Sequence, residues 1–258
     1  MNNRSSKTNH KENSAIKSIL KIFLPLIFWL GVWQLTSSLI NNSFLFPNIQ
    51  TTFRALTVLA GKIEFYKAIS LSTIRVFLGL ILGIFMGVML AVISFKIWIA
   101  KVIINPIITV IRSTPVASFI VVLWVIMSGD ALSIFIGFLM VMPIIWQSTN
   151  NSFDSIDKDL SEVADIYEFS KAKRFKLLIF PTLKRYLVPA IITAAGLAWK
   201  AEIAAEIIAY TKKSIGQGIN DAKYHLDTPT VFAWTIVIIV FSILLEKGTK
   251  YFLRRSGK

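Results

Sequence analysis

Three ionisable side chains, Lys200, Glu202 and Glu206, stand inside the otherwise apolar run Leu197–Glu206, LAWKAEIAAE. Two carboxylates and an amine are the raw material of a proton relay, an ion path or an acid–base centre. In a helix Glu202 and Glu206 lie about 40° apart on one face, while Lys200 points about 120–160° away. An acid–base centre needs its groups to converge, and Lys200 turns away from both carboxylates. It must meet another helix, a second copy of the chain, or water. The sequence has no cysteine, which excludes disulfides, thiolate metal sites and cysteine nucleophiles. Its two histidines, His10 and His225, sit apart in polar surroundings without metal-ligand spacing.

The elements that position these charges follow from composition. Of 258 residues, 55% are hydrophobic and 16% charged, and the mean hydropathy is +0.65. That balance is a polytopic membrane protein's. The net charge of +14 forms no continuous stripe, which argues against nucleic-acid binding. A span needs about 20 apolar residues, and six segments qualify: Ile22–Ile40, Val76–Phe95, Ile103–Met127, Ala131–Trp146, Leu187–Tyr210 and Val231–Leu245. The first exceeds a signal-peptide core in length and lacks a convincing cleavage site, so it reads as an anchor. In the second, Gly79, Gly83 and Gly87 recur every four residues, a pattern that lets helices approach closely. The third is interrupted by Arg112-Ser113-Thr114-Pro115, where Pro115 is expected to kink it. Arg112 then falls at the interface or faces the interior. Ser128–Asp130 reads as the turn before the fourth.

The chain is thus expected to be all-α, with about six spans and no internal repeat. Residues 1–21, with Arg4, Lys7, Lys11, Lys17 and Lys21, read as a disordered basic tail. Residues 22–71 hold the first span and an outer loop, 72–250 a core with a polar loop at 148–187, and 251–258 a basic tail. Lys and Arg collect in both tails, at Lys96 and Lys101, and in the loop with Lys171, Lys173, Arg174, Lys176, Lys184 and Arg185. By the positive-inside bias both termini are expected on the cytoplasmic face. The segment Asn41–Arg75, expected on the outer side, carries Arg54, Lys62, Lys67 and Arg75, which weakens the asymmetry. Measured from Val188 at about 1.5 Å per residue, Lys200 lies roughly 18 Å into the fifth span and Glu206 roughly 27 Å. Glu206 accordingly fits an interfacial carboxylate. Lys200, with Glu202, Glu206 and Arg112, is a candidate for lining a translocation path, and a cation there suits an anionic solute.

In the polar loop, Asp157 can cap a short helix. Leu160, Val163, Ala164 and Tyr167 recur at i, i+3, i+4 and i+7 as one apolar stripe. Such a stripe must be buried, either on the bilayer surface and its own bundle or in a groove on a soluble partner. No GxxxxGK[ST] motif occurs, so the chain lacks the usual nucleotide loop. The lone Gly216-Gln217-Gly218 reads as a turn.

The stretch Ser161–Pro181, SEVADIYEFSKAKRFKLLIFP, resembles the cytoplasmic loop of permease subunits of bacterial ABC importers. That family's Glu-Ala-Ala, three residues, Gly, then a dozen residues to Pro appears here as Glu162-Val163-Ala164, Glu168 and Pro181. Ser72–Val76 with Gly79 and Gly83, Arg112–Pro115 with Trp124 and Gly129, and Ser214–Gly218 are similar to further parts of the family's core. The resemblance covers roughly Ser72–Leu245, and within the superfamily it is nearest the nitrate, sulfonate and taurine group.

The resemblance implies the type I importer permease fold and a subunit in the bacterial cytoplasmic membrane that does no chemistry and holds no cofactor. Glu162, Val163, Ala164, Tyr167, Glu168 and Pro181 would belong to the coupling loop that docks on an ATPase subunit. A pair of such subunits would bind ATP and magnesium, a substrate-binding protein would deliver the solute, and a second permease copy would complete the path. ATP binding would draw the loops together and switch the bundle outward. The solutes implied are sulfonate, taurine or nitrate, with bicarbonate or a pyrimidine precursor as alternatives. A secondary carrier or channel is the rival class, for which inverted repeats are missing. Where the family has glycine, Glu168 would hold a left-handed turn at a cost of about 1 kcal/mol or more. Either the turn shifts by a residue or the first helix continues.

Overall fold

The computed structural model describes residues 5–255, and among these it contains α-helices, one π-helical turn and no strand. The chain forms two compact units. The first comprises the chain up to Gly61 together with Ala222–Ala233. It contains α1 (Ser5–Ile40) and α2 (Ile49–Ala60), the latter capped by the Asn48 side chain, which accepts from Thr51 N at 2.8 Å. Trp33, Phe46 and Phe232 pack edge-on or tilted, and the Trp33 indole donates to Pro47 O at 2.9 Å. Helix α1 begins at Ser5, so the tail expected to lack structure is helical from there, and its first four residues lie outside the described ones. Lys, Glu, Ala and Leu favour helix, and the segment runs without a break into the apolar part of α1.

The second unit comprises Lys62–Asp221 and the chain from Trp234 onward. Its helices are α3 (Ile63–Lys96), α4 (Trp98–Ser113), α5 (Val116–Trp124), α6 (Gly129–Asp154), α7 (Lys158–Ile166), α8 (Lys171–Arg174), α9 (Phe180–Ile208), α10 (Ile215–Tyr224) and most of α11 (Thr228–Arg255). Helix α3 starts at Ile63, well before the expected Val76. Residues 63–75 bury Phe65, Ala68, Ile69, Ser72 and Arg75 at helical spacing, so they extend the span as an amphipathic turn-by-turn continuation. At the other end α3 seats on α6 through its glycines. A Cβ on Gly83 would meet Val141 Cβ at 2.5 Å, and one on Gly87 would meet Met142 O at 2.8 Å. Only hydrogen at these positions lets the two backbones come so close.

Among the described residues five helices are long and apolar enough to cross a membrane, or six if α4 and α5 count as one span, in agreement with the sequence. The third span is not merely kinked: α4 and α5 are bent by 100° at Thr114-Pro115. Thr114 is extended (φ −86°, ψ 132°), as the residue before proline prefers to be, so the helix stops there instead of flexing. The turn at Ser128–Asp130 is where it was expected, with Gly129 at φ +61°. Gly216–Gly218, expected as a turn, lies inside α10. Gly216 is there for close approach, since a Cβ would lie 2.6 Å from Ile207 N.

Candidate functional site

The polar loop folds as a helix–turn–helix. Asp157 caps α7, its carboxylate accepting from Asp159 N at 2.9 Å and Leu160 N at 3.4 Å. The helix ends in a Schellman arrangement: Phe169 N donates to Ala164 O at 2.9 Å and Glu168 N to Asp165 O at 3.0 Å. Glu168 itself takes the left-handed conformation, φ +51°. Neither sequence alternative occurs; the turn stays in register and Glu168 bears the strain. Arg174 then braces the hairpin, donating to Ser161 O at 3.1 Å and pairing with Asp165. Of the expected stripe, Ala164 is 2% exposed and packs inward, while Leu160, Val163 and Tyr167 are left open, as are Glu162 and Glu168.

Pro181 lies in the first turn of α9, where its missing N–H is tolerated. Immediately before it, residues 175–179 form the π-helical turn, with Phe180 N donating to Phe175 O. Without a donor at 181 the backbone widens by one residue on the way into the membrane.

Replacing Glu168 by glycine is expected to stabilise this hairpin by about 0.5–1 kcal/mol, since relief of the left-handed strain exceeds the extra chain entropy of glycine. Slower proteolysis across residues 160–175 of the variant would register the gain; faster cleavage would contradict it.

The ionisable groups of α9 divide. Glu206 is 1% exposed, enclosed by protein where an exposed carboxylate was expected. It accepts from Arg75 Nη1 at 2.8 Å, from Ser72 Oγ at 2.8 Å and from Gly216 N at 3.3 Å. Arg75, 4% exposed, also donates through Nε to Asp130 at 3.0 Å and through Nη2 to Lys212 O at 3.2 Å. One guanidinium thus ties α3 to the start of α6, the end of α9 and the segment before α10. Sequence reading had placed Arg75 among the charges of an outer loop. The available signal was a lone Arg at helical spacing from buried apolar positions, with a carboxylate in a distant span. Glu202 is also 1% exposed, and neither of its oxygens has a hydrogen-bond partner. It is wedged between Gly79 and Gly137, where a Cβ on either glycine would collide with its carboxylate. Glu202 and Glu206 share one face of α9, as helix geometry requires, and that face is buried within the helix packing of one protomer. Lys200 faces the other way and is exposed, as are Arg185, Pro189, Thr193 and Leu197 on the same stripe of α9. Arg112 is exposed at the end of α4 and donates to the Gln147 side chain.

Comparison with known proteins agrees with this architecture. Residues 79–258 match the family described as binding-protein-dependent transport system inner membrane component. The chain is similar to the putative aliphatic sulfonates transport permease protein SsuC of Bacillus subtilis (strain 168), with 24% identity over 98% of this chain and 90% of that one. It is similar to the taurine transport system permease protein TauC of Escherichia coli (strain K12), with 26% identity over 88% and 84% respectively. It is also similar to the nitrate import permease protein NrtB of Synechococcus elongatus (strain ATCC 33912 / PCC 7942 / FACHB-805), with 25% identity over 76% and 74%. Among solved structures, an amino acid ABC transporter with histidines superposes with a TM-score of 0.62 at 16% identity, covering 77% of this chain and 96% of that one. The MetNI methionine ABC transporter gives 0.56 at 15% identity, covering 74% and 93%. These two likenesses concern the fold. The family match spans most of the chain, which therefore belongs to the binding-protein-dependent transport system inner-membrane components: it is a multi-pass, non-enzymatic permease subunit of an ABC importer, whose ATPase is a separate subunit.

Proposed function

We propose that this permease carries a small anionic solute of the sulfonate, taurine or nitrate type across the bacterial cytoplasmic membrane, with both termini cytoplasmic. The observation that carries the reading is Lys200: an exposed cation on a stripe of a spanning helix that also bears Arg185 and Thr193. Charged side chains avoid lipid and face water-filled paths or partners. A second copy of the chain facing this stripe encloses a path with two lysines, one from each protomer, and that path favours anions. The relatives named for sulfonates, taurine and nitrate support the same class. Arg112, exposed at the α4–α5 bend, is a further candidate for lining the path.

The loop 157–181 is the docking element for the ATPase pair. Leu160, Val163 and Tyr167 are apolar groups without a cover in the protomer, which supports a groove on a partner as their seat. ATP binding closes the ATPase pair, draws the two loops together and switches the bundle, while a substrate-binding protein delivers solute from outside.

Lys200→Ala is expected to lower uptake of the transported anion at least tenfold, equivalent to about 1.4 kcal/mol, with unchanged membrane insertion. Competition uptake with taurine, an alkylsulfonate, nitrate and bicarbonate identifies the solute in the same assay. Uptake of every anion at the parental rate in the variant would refute the path assignment.

A further inference from the structure

Helices α3 and α9 meet in a register that repeats every turn. Arg75 faces Glu206 at 2.8 Å, and one turn along α3 Gly79 lies against Glu202, one turn back along α9. The two helices therefore run antiparallel at this contact. Two carboxylates share one face of α9 and a single guanidinium meets them. Glu206 has three kinds of donor, from Arg75, Ser72 and Gly216, whereas Glu202 has none. A carboxylate buried without a partner is costly, and an apolar side chain of similar volume would fill the slot between Gly79 and Gly137 at lower cost. Packing alone gives no reason for Glu202.

A one-turn slide supplies that reason. Moving α9 along α3 toward Asp130 brings Glu202 level with Arg75 and carries Glu206 toward the end of the bundle that water reaches. Asp130, already bonded to Arg75, is 69% exposed there. The buried positions of α9 are mostly alanine, at Ala190, Ala194, Ala195, Ala198, Ala201 and Ala205, and of its two bulky apolar members, Trp199 and Ile203, Trp199 packs on α11, stacking on Phe241 and donating to Ile238 O at 3.1 Å. One-turn ratchets between packed elements are a recognised form of switching, because interfaces are bistable and not continuously deformable.

We propose that Glu202 is the second seat of Arg75: in the transport cycle α9 slides one turn along α3 and the guanidinium passes from Glu206 to Glu202. Glu202 is thus a positioning residue for transport. This rests on the ATP-driven reading only for the trigger, not for the existence of the second register.

The absence of native cysteine allows direct measurement. Spin labels at Ile81→Cys on α3 and Phe180→Cys on α9, both exposed positions, report the slide in the permease purified with its ATPase subunits. By the antiparallel register the labels lie about 30 Å apart along the helix axes, and one turn shortens that by about 5 Å. ATP is expected to produce this shortening in the parent. Glu206→Gln, which removes the first seat at constant shape, is expected to populate the shorter distance without nucleotide. Glu202→Gln is expected to keep the resting distance, lose the ATP-driven change and lower uptake at least tenfold. The proposal fails if Glu206→Gln shows the parental resting distance, if Glu202→Gln shortens with ATP as the parent does, or if the parent itself does not change. The Glu206→Gln arm is read without ATP, so it separates failure of the two-seat idea from failure of the coupling scheme.

Discussion

Arg75→Met should leave little folded permease in the membrane. The guanidinium is buried and holds Glu206, Asp130 and the Lys212 carbonyl together. Removing one member of a buried ion pair typically costs about 3–5 kcal/mol, because the remaining charge is stranded in a medium that solvates it poorly. That is a large fraction of the stability of an ordinary domain. Here Glu206 retains Ser72 Oγ and Gly216 N, and these place the expected loss toward the lower end of the range. A discriminating comparison is the double replacement Arg75→Met with Glu206→Met. Taking away both charges restores an apolar contact of similar volume, so the double variant should recover most of the thermal stability in detergent that the single one loses. It should not recover transport if the pair also serves the cycle. Equal melting of Arg75→Met and the parent would show that the cluster does not hold the bundle together.

What the sequence made legible, and what it hid, divides along this same cluster. Spans were legible because a bilayer demands about 20 apolar residues in succession, a local property. The cap at Asp157 was legible because capping depends on residues within one turn, whereas at Glu168 the cost of a left-handed turn was legible but not that the loop would bear it, since the turn neither shifts nor gives way to helix. The pairing of Arg75 with Glu206 joins positions 131 residues apart. No local period encodes it, and Arg75 at the margin of an apolar run looked like a loop charge. The error in the start of α3 had the same origin: in residues 63–75 the buried positions recur at helical spacing among exposed ones that are partly polar, which dilutes a hydropathy window without weakening the helix. The break at Thr114-Pro115 was readable in kind but not in size. Proline sets the preceding residue extended, yet the 100° turn depends on how α5 packs against α6 and α9.

The loop now allows docking to be separated from its own folding. Ala164 is buried within the hairpin, so a large residue there disturbs the loop itself and reports little about a partner. Val163 and Tyr167 are exposed in the protomer. Replacing both by serine should leave α7, its Asp157 cap and the Arg174 brace intact. If these side chains enter a groove on the ATPase, their loss is the loss of an aromatic and an aliphatic anchor at the centre of an interface. Single anchors of that kind are worth about 2 kcal/mol or more, so the pair should weaken association at least 100-fold and abolish ATP-driven uptake in membranes. Co-purification of tagged permease with its ATPase, and uptake by the same vesicles, measure both effects. Circular dichroism and protease sensitivity of the loop provide the control that folding persists. A variant that still binds the ATPase and transports at the parental rate would remove the docking role from this face of α7. The stripe would then be read as resting on the bilayer surface, where serine substitution alters only lipid partition.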